Sequence, residues 1–156
     1  MMLLLAAALL VPPPLPSDDR HAILVAVDRL LDGLTAGNRE RLDTVLEPDG
    51  TFTVVDTRKP GPQRVKVTPI KTIRDSMKPN TPPFVERISN PTVLIRGDIA
   101  QVWAPYVFVA GGKRRHCGID NFMLVRRDSQ WKVGSVSYTV EPLDQCDALG
   151  APRIGE

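Results

Sequence analysis

The sequence predicts an α+β fold in which N-terminal helices pack on a curved, mainly antiparallel sheet. Three observations predict it. Residues 101–140 hold three long strand-like runs, Q-V-W-A-P-Y-V-F-V, R-R-H-C-G-I-D-N-F-M-L-V-R-R and Q-W-K-V-G-S-V-S-Y-T-V. Only Ala110–Lys113, centred on Gly111-Gly112, and Asp128-Ser129 separate them, and turns that short join antiparallel neighbours. Ahead of them, Ile23, Val27, Leu30, Leu31 and Leu34 recur at helical spacing. Polar and aromatic residues set among the apolar ones in the strands suggest a sheet wrapped around a pocket.

The first helix is expected to begin near Asp18, capped by Ser17, with Asp18 and Asp19 at its positive end. Asp28, Arg29 and Asp32 take the face opposite the apolar stripe, and Gly37 stops it. Asn38 is placed to cap a short second helix that turns Leu42, Val45 and Leu46 inward. Pro48-Asp49-Gly50 reads as a turn into a short strand, Thr51–Asp56, followed by a basic loop from Thr57 to Lys66. Thr68-Pro69 reads as a helix start, with Ile70, Ile73 and Met77 inward and Pro79, Pro82 and Pro83 ending it. A strand from Phe84 to Arg96 should be bulged or at an edge where Pro91 cannot donate to a ladder. Gly97-Asp98 then turns into the meander.

Length and composition allow one domain with a real core: 156 residues, 42% apolar and 24% charged. A net charge of +2 gives no reason to expect nucleic acid, and the Lys113-Arg114-Arg115 tip lacks interleaved aromatics. Met1–Val11 is an unbroken apolar run, shorter than the roughly 20 residues of a membrane-spanning helix. Its length suits the apolar core of a secretory signal, although no Lys or Arg precedes it and no clean small-x-small site follows. Residues 1–17 are therefore expected to be a signal or an apolar extension, 18–146 the domain and 147–156 a tail. The expected location is secreted or periplasmic, with cytoplasmic as the alternative. The two cysteines, Cys117 and Cys146, could form a disulfide or remain buried thiols. Two histidines, His21 and His116, and no clustered ligands give no dedicated metal site, and no motif implies a cofactor.

Counting register outward from the two meander turns puts Trp103, Asp120 and Ser137 in one row and Gln101, Phe122 and Ser135 in the next. The opposite face would carry Val102, Ala104, Tyr106, Cys117, Ile119, Met123, Val136, Tyr138 and Val140. A slip of one residue exchanges the two sets.

Helices followed by a long meander with a bulged first strand resemble the nuclear transport factor 2-like, or ketosteroid isomerase-like, superfamily. V-W-A-P-Y-V-F at Val102–Phe108, H-C-G-I-D-N-F at His116–Phe122 and W-K-V-G-S-V-S-Y-T at Trp131–Thr139 resemble its lumazine-binding-like family. The resemblance implies a cone closed by helices, a pocket inside, and often a homodimer formed through the sheet. Its members include isomerases, dehydratases, polyketide cyclases and non-catalytic binding modules, so it does not choose among chemistries.

Asp120 leads the candidate site, because a carboxylate beside Trp103 and Phe122 would be desolvated and suited to proton transfer or hydrogen bonding. The alternative is a carboxylate satisfied by Ser137, Asn121 or the backbone. His116 lies on the same side but about 13 Å along the strand, too far for a direct bond. Trp103 and Tyr106 could stack on a planar ligand, or simply be core. The expected activity is binding of a small apolar or aromatic molecule contacted by Trp103, Gln101, Phe122, Ser137 and Tyr106. The alternatives are a cofactor-independent acid–base enzyme using Asp120, with His116 as a weaker catalytic candidate, and a homodimeric accessory protein without catalysis.

Overall fold

The computed structural model describes residues 16–58, 64–79 and 84–155. The apolar run Met1–Val11, and with it the expected signal, lies outside them, as do Pro82 and Pro83. Helix α1 spans Pro16–Ala36, so Ser17 sits inside its first turn rather than at a cap. Ile23, Val27, Leu30 and Leu31 are buried on its predicted stripe. Asp19 reaches across to Arg126 at 2.7 Å and ties the helix start to the sheet. Gly37 has φ +60, and a Cβ there would meet the Lys78 carbonyl at 1.8 Å, so only glycine ends α1 this way. Asn38 caps α2 (Arg39–Val45) by accepting the Arg41 N–H at 2.9 Å, as expected.

Strand β1 (Leu46–Asp56) starts earlier than expected. Pro48-Asp49-Gly50 makes no turn, and these residues lie within a register shift of the strand between Leu46 and Thr51. The basic loop is also shorter: Arg64–Pro69 forms β2, antiparallel to β1. Thr68 and Pro69 therefore end a strand, and α3 (Ile70–Asp75) begins one residue later with no side-chain cap. The strand through Pro91 divides into β3 (Phe84–Ile88) and β4 (Thr92–Arg96), both antiparallel to β5 (Ile99–Ala110). At the break the Ser89 N–H donates to the Pro105 carbonyl at 2.9 Å. Strands β6 (Lys113–Arg127) and β7 (Gln130–Val140) complete a sheet of order β2-β1-β7-β6-β5-β3, with β4 also on β5 and β1–β7 paired in parallel.

Both meander hairpins leave their turns in the register read from the sequence. Ala110 faces Lys113, and Arg127 faces Gln130. Each then takes up one extra residue. Arg115 is unpaired between the Phe108–His116 and Val109–Arg114 pairs. Gly134 is unpaired between Met123–Ser135 and Leu124–Val133. These bulges move the pairing by one. Asp120 consequently faces Ala104 and Tyr138, while Trp103 faces Asn121, which faces Ser137.

The face under the helices carries Val102, Phe122 and Val136 in one row and Ala104, Asp120 and Tyr138 in the next. The helices and this face enclose the main core. Among the described residues the outer face is covered only at one end. There Val107, Val109 and Cys117 pack against Cys146, Leu149 and Ala151 of a C-terminal segment comprising a 3₁₀ turn (Leu143–Gln145) and α4 (Cys146–Leu149). Cys117 and Cys146 are joined by a disulfide, and Arg114 donates to the carbonyls of Pro152 and Ile154. Among the described residues no helix is long and apolar enough to cross a membrane.

Candidate functional site

A cavity of about 170 Å³ lies between α1 and the sheet. Leu30, Leu31 and Leu34 line its helical side, and the rings of Phe52, Phe84, Phe108, Phe122 and Tyr138 surround it. Two acids enter it. Glu86 comes from β3, paired with Phe108, and Asp120 comes from the middle of β6. Ala104 opposite Asp120 adds no bulk beyond its methyl group. No Lys, Arg or His is among the described residues that line the cavity.

Asp120 is the one buried charged residue among the described residues, at 2% exposure, and its Oδ2 has no hydrogen-bond partner among them. Burial, reinforced by Glu86, holds its carboxyl well above the usual carboxylate range. Glu86 is partly accessible, on the cavity it lines, and burial of its carboxyl pushes it up to about 7. Two acids coupled in an apolar setting cannot both ionise freely, so the pair retains protons near neutrality.

A second polar group stands further along the sheet, built from Tyr106 on β5, His116 on β6 and Thr139 on β7. Tyr106 is buried, and its hydroxyl donates to the Thr139 carbonyl at 2.7 Å. That uses its single proton, so the 3.1 Å contact with His116 is an Nδ1–H donating to the hydroxyl oxygen. Burial, together with the Arg58 charge, pushes His116 down to about 4, and it is neutral at pH 7. Its ring stacks on Phe108 at 4.8 Å, and Phe108 stacks on Phe84 at 5.1 Å. His116 thus backs a ring that lines the cavity without lining it itself.

The expected site residues therefore separate. Asp120 and Phe122 line the cavity, and Tyr106 is on the same face with its hydroxyl committed to Thr139 and His116. Trp103, Gln101 and Ser137 are corrected to the outer face by the two bulges. There Gln101 donates to Asn121 at 2.8 Å, Asn121 donates to Ser137 at 3.1 Å, and Trp103 is 50% exposed. His116 and Asp120 make no dyad, because the His116 Nδ1 is bonded to Tyr106. The sequence reading missed Glu86. Its signal is phase: in F-V-E-R-I the acid occupies the inward step between Phe84 and Ile88.

No family model and no curated protein sequence matches the chain. Solved structures do match. A nuclear transport factor 2-like protein of unknown function from Shewanella baltica OS155 superposes with a TM-score of 0.60 at 18% identity, covering 83% of this chain and 99% of that one. A protein of unknown function with a cystatin-like fold from Nostoc punctiforme PCC 73102 gives 0.65 at 14% identity, covering 83% and 96%. A nuclear transport factor 2-like protein with a cystatin-like fold from Novosphingobium aromaticivorans gives 0.61 at 16%, covering 85% and 89%. With helices closing the concave side of a curved, mostly antiparallel sheet, this chain has the nuclear transport factor 2-like fold.

Proposed function

We propose that the chain binds a small, mainly apolar or aromatic molecule in the cavity between α1 and the sheet, oriented by Asp120 and Glu86. The observation that carries this reading is the Asp120 carboxyl, buried at the cavity wall with an oxygen that no described residue satisfies. Such a group costs free energy unless a partner arrives. An apolar enclosure with few polar groups is the usual form of a ligand pocket. The resemblance of residues 102–108, 116–122 and 131–139 to the lumazine-binding-like family supports a planar ring. The test is amide chemical-shift mapping with small aromatic compounds. Shifts should centre on Phe122, Val136 and Tyr138 and disappear in Leu34→Trp, which fills the cavity. Shifts confined to the Trp103 and Met123 face would refute the reading.

A second reading is favoured by Glu86 at about 7, which suits proton transfer at neutral pH. The cavity would then serve a cofactor-independent isomerase, dehydratase or cyclase with Asp120 or Glu86 carrying the proton. Asp120→Asn separates the two: turnover lost with binding retained supports the enzyme. Self-association through the outer face belongs with either reading. It is supported by Leu94, Ile99, Trp103 and Met123, each 45% or more exposed on or beside that face. Sedimentation of the Trp103→Glu variant tests it, with a monomer expected. Export is supported by the Met1–Val11 run and the Cys117–Cys146 disulfide. N-terminal sequencing of the mature protein should begin near Asp18, and an intact Met1 would overturn export.

A further inference from the structure

The polar chemistry of the cavity is one-sided. Among the described residues its ionisable lining consists of Glu86, Asp120 and Tyr138, and the rest is aliphatic or aromatic. We propose that the occupant is a small hydrophobic amine bound as its ammonium, with the cationic end between Glu86 and Asp120 and the apolar body against the rings. This rests on the cavity being the binding site.

Four observations converge. An ammonium carries donors and no acceptor, and the Asp120 Oδ2 lacks a donor among the described residues. A second acid from a different strand lines the same cavity, so the donors of one cation can reach both carboxyl groups, which release their protons to solvent as the ammonium enters. Five aromatic rings surround the acids, and ring faces attract cations most where water is excluded. Among the described residues no basic side chain lines the cavity to receive a carboxylate or phosphate, and an anion there would be buried without a countercharge in a medium of low dielectric. Size bounds the body. The cavity of about 170 Å³ compares with the roughly 150 Å³ that accommodates benzene in an engineered protein core. A single ring with a short aminoalkyl arm fits.

Calorimetric titration of the full chain at pH 7 with benzylamine, toluene, acetophenone and benzoate tests the class. Benzylamine should bind about tenfold or more tighter than toluene, and benzoate should not bind. Toluene or acetophenone binding as tightly as benzylamine would overturn the amine and leave the cavity reading standing. Failure of all four to bind would overturn both. Glu86→Gln with Asp120→Asn should erase the benzylamine preference while toluene stays within about threefold of its wild-type affinity. Should the double variant not fold, Glu86→Gln alone must still weaken benzylamine more than toluene, and an equal effect on both overturns the proposal.

Discussion

Asp120 stands opposite Tyr138 across β6 and β7, one residue away from the partner that the Asp128-Ser129 turn would assign it. The difference is the unpaired Gly134, whose carbonyl leaves no room for a side chain on β1. A Cβ on Gly50 would meet that oxygen at 1.9 Å, whereas a Cβ on Gly134 itself meets nothing nearer than 3.7 Å. Gly50→Ala should therefore cost about 2–3 kcal/mol, and Gly134→Ala less than about 1 kcal/mol. Urea unfolding of both variants checks the contrast. Equal costs would mean that β1 does not approach the bulge this closely.

The turn before that bulge is strained in a way one substitution relieves. Asp128 and Ser129 have φ of 50 and 61, both left-handed, where side chains other than Asn, Asp and Gly pay a steric cost. The preceding hairpin meets the same demand with Gly111 and Gly112. Ser129→Gly should stabilise the protein by about 0.5–1 kcal/mol despite adding freedom to the unfolded chain. Thermal unfolding reads it as a higher midpoint, and a lower midpoint would refute the relief of strain.

These two turns also show how far the sequence was legible. Turn chemistry located both hairpins and started each in the correct register, and helical periodicity found the α1 stripe. The bulges carry no comparable signal. Arg115 is one of three consecutive basic residues, and Gly134 looks like any strand glycine, yet each reverses the facing of every residue beyond it. That is why Asp120 faces a cavity as expected while Trp103, Gln101 and Ser137 do not share it. Strand β2 was hidden for another reason: Arg64, Val65, Lys66 and Val67 form an edge strand exposed on both faces, so no apolar alternation marks a buried side.

The disulfide fixes the C-terminal segment to the outer face. Cys117 and Cys146 are separated by 29 residues, and closing a loop of that length stabilises the fold by about 3–4 kcal/mol in the chain-entropy description. Cys117→Ala with Cys146→Ala should lose about 2–4 kcal/mol and free Leu149 and Ala151 from Val107 and Val109. Denatured, unreduced protein should show no free thiol. Two titratable thiols would remove the staple, and hydrogen exchange across residues 143–151 would show whether the segment holds without it.

The buried acids and His116 set opposite pH dependences that can be separated. Glu86 is raised from an ordinary value of 4.5 to about 7, and Asp120 is raised as well, so the folded chain holds these protons more tightly than the unfolded one. Their contribution is full below their unfolded values and is lost as pH rises, for Glu86 through about 7. His116 is lowered from 6.5 to about 4, so its contribution is full above pH 6.5 and is lost as pH falls through about 4. Between pH 4.5 and 6.5 Glu86 and His116 oppose each other, whereas above 6.5 His116 is silent. Stability should therefore fall from pH 6.5 to 8, with Glu86 contributing about 1 kcal/mol of the fall. In Glu86→Gln that share disappears and the curve flattens, because the amide has no charge to bury. Urea unfolding at half-unit steps measures both curves. Parallel curves for wild type and variant would show that Glu86 ionises as freely in the fold as in the unfolded chain, and would remove it from the cavity.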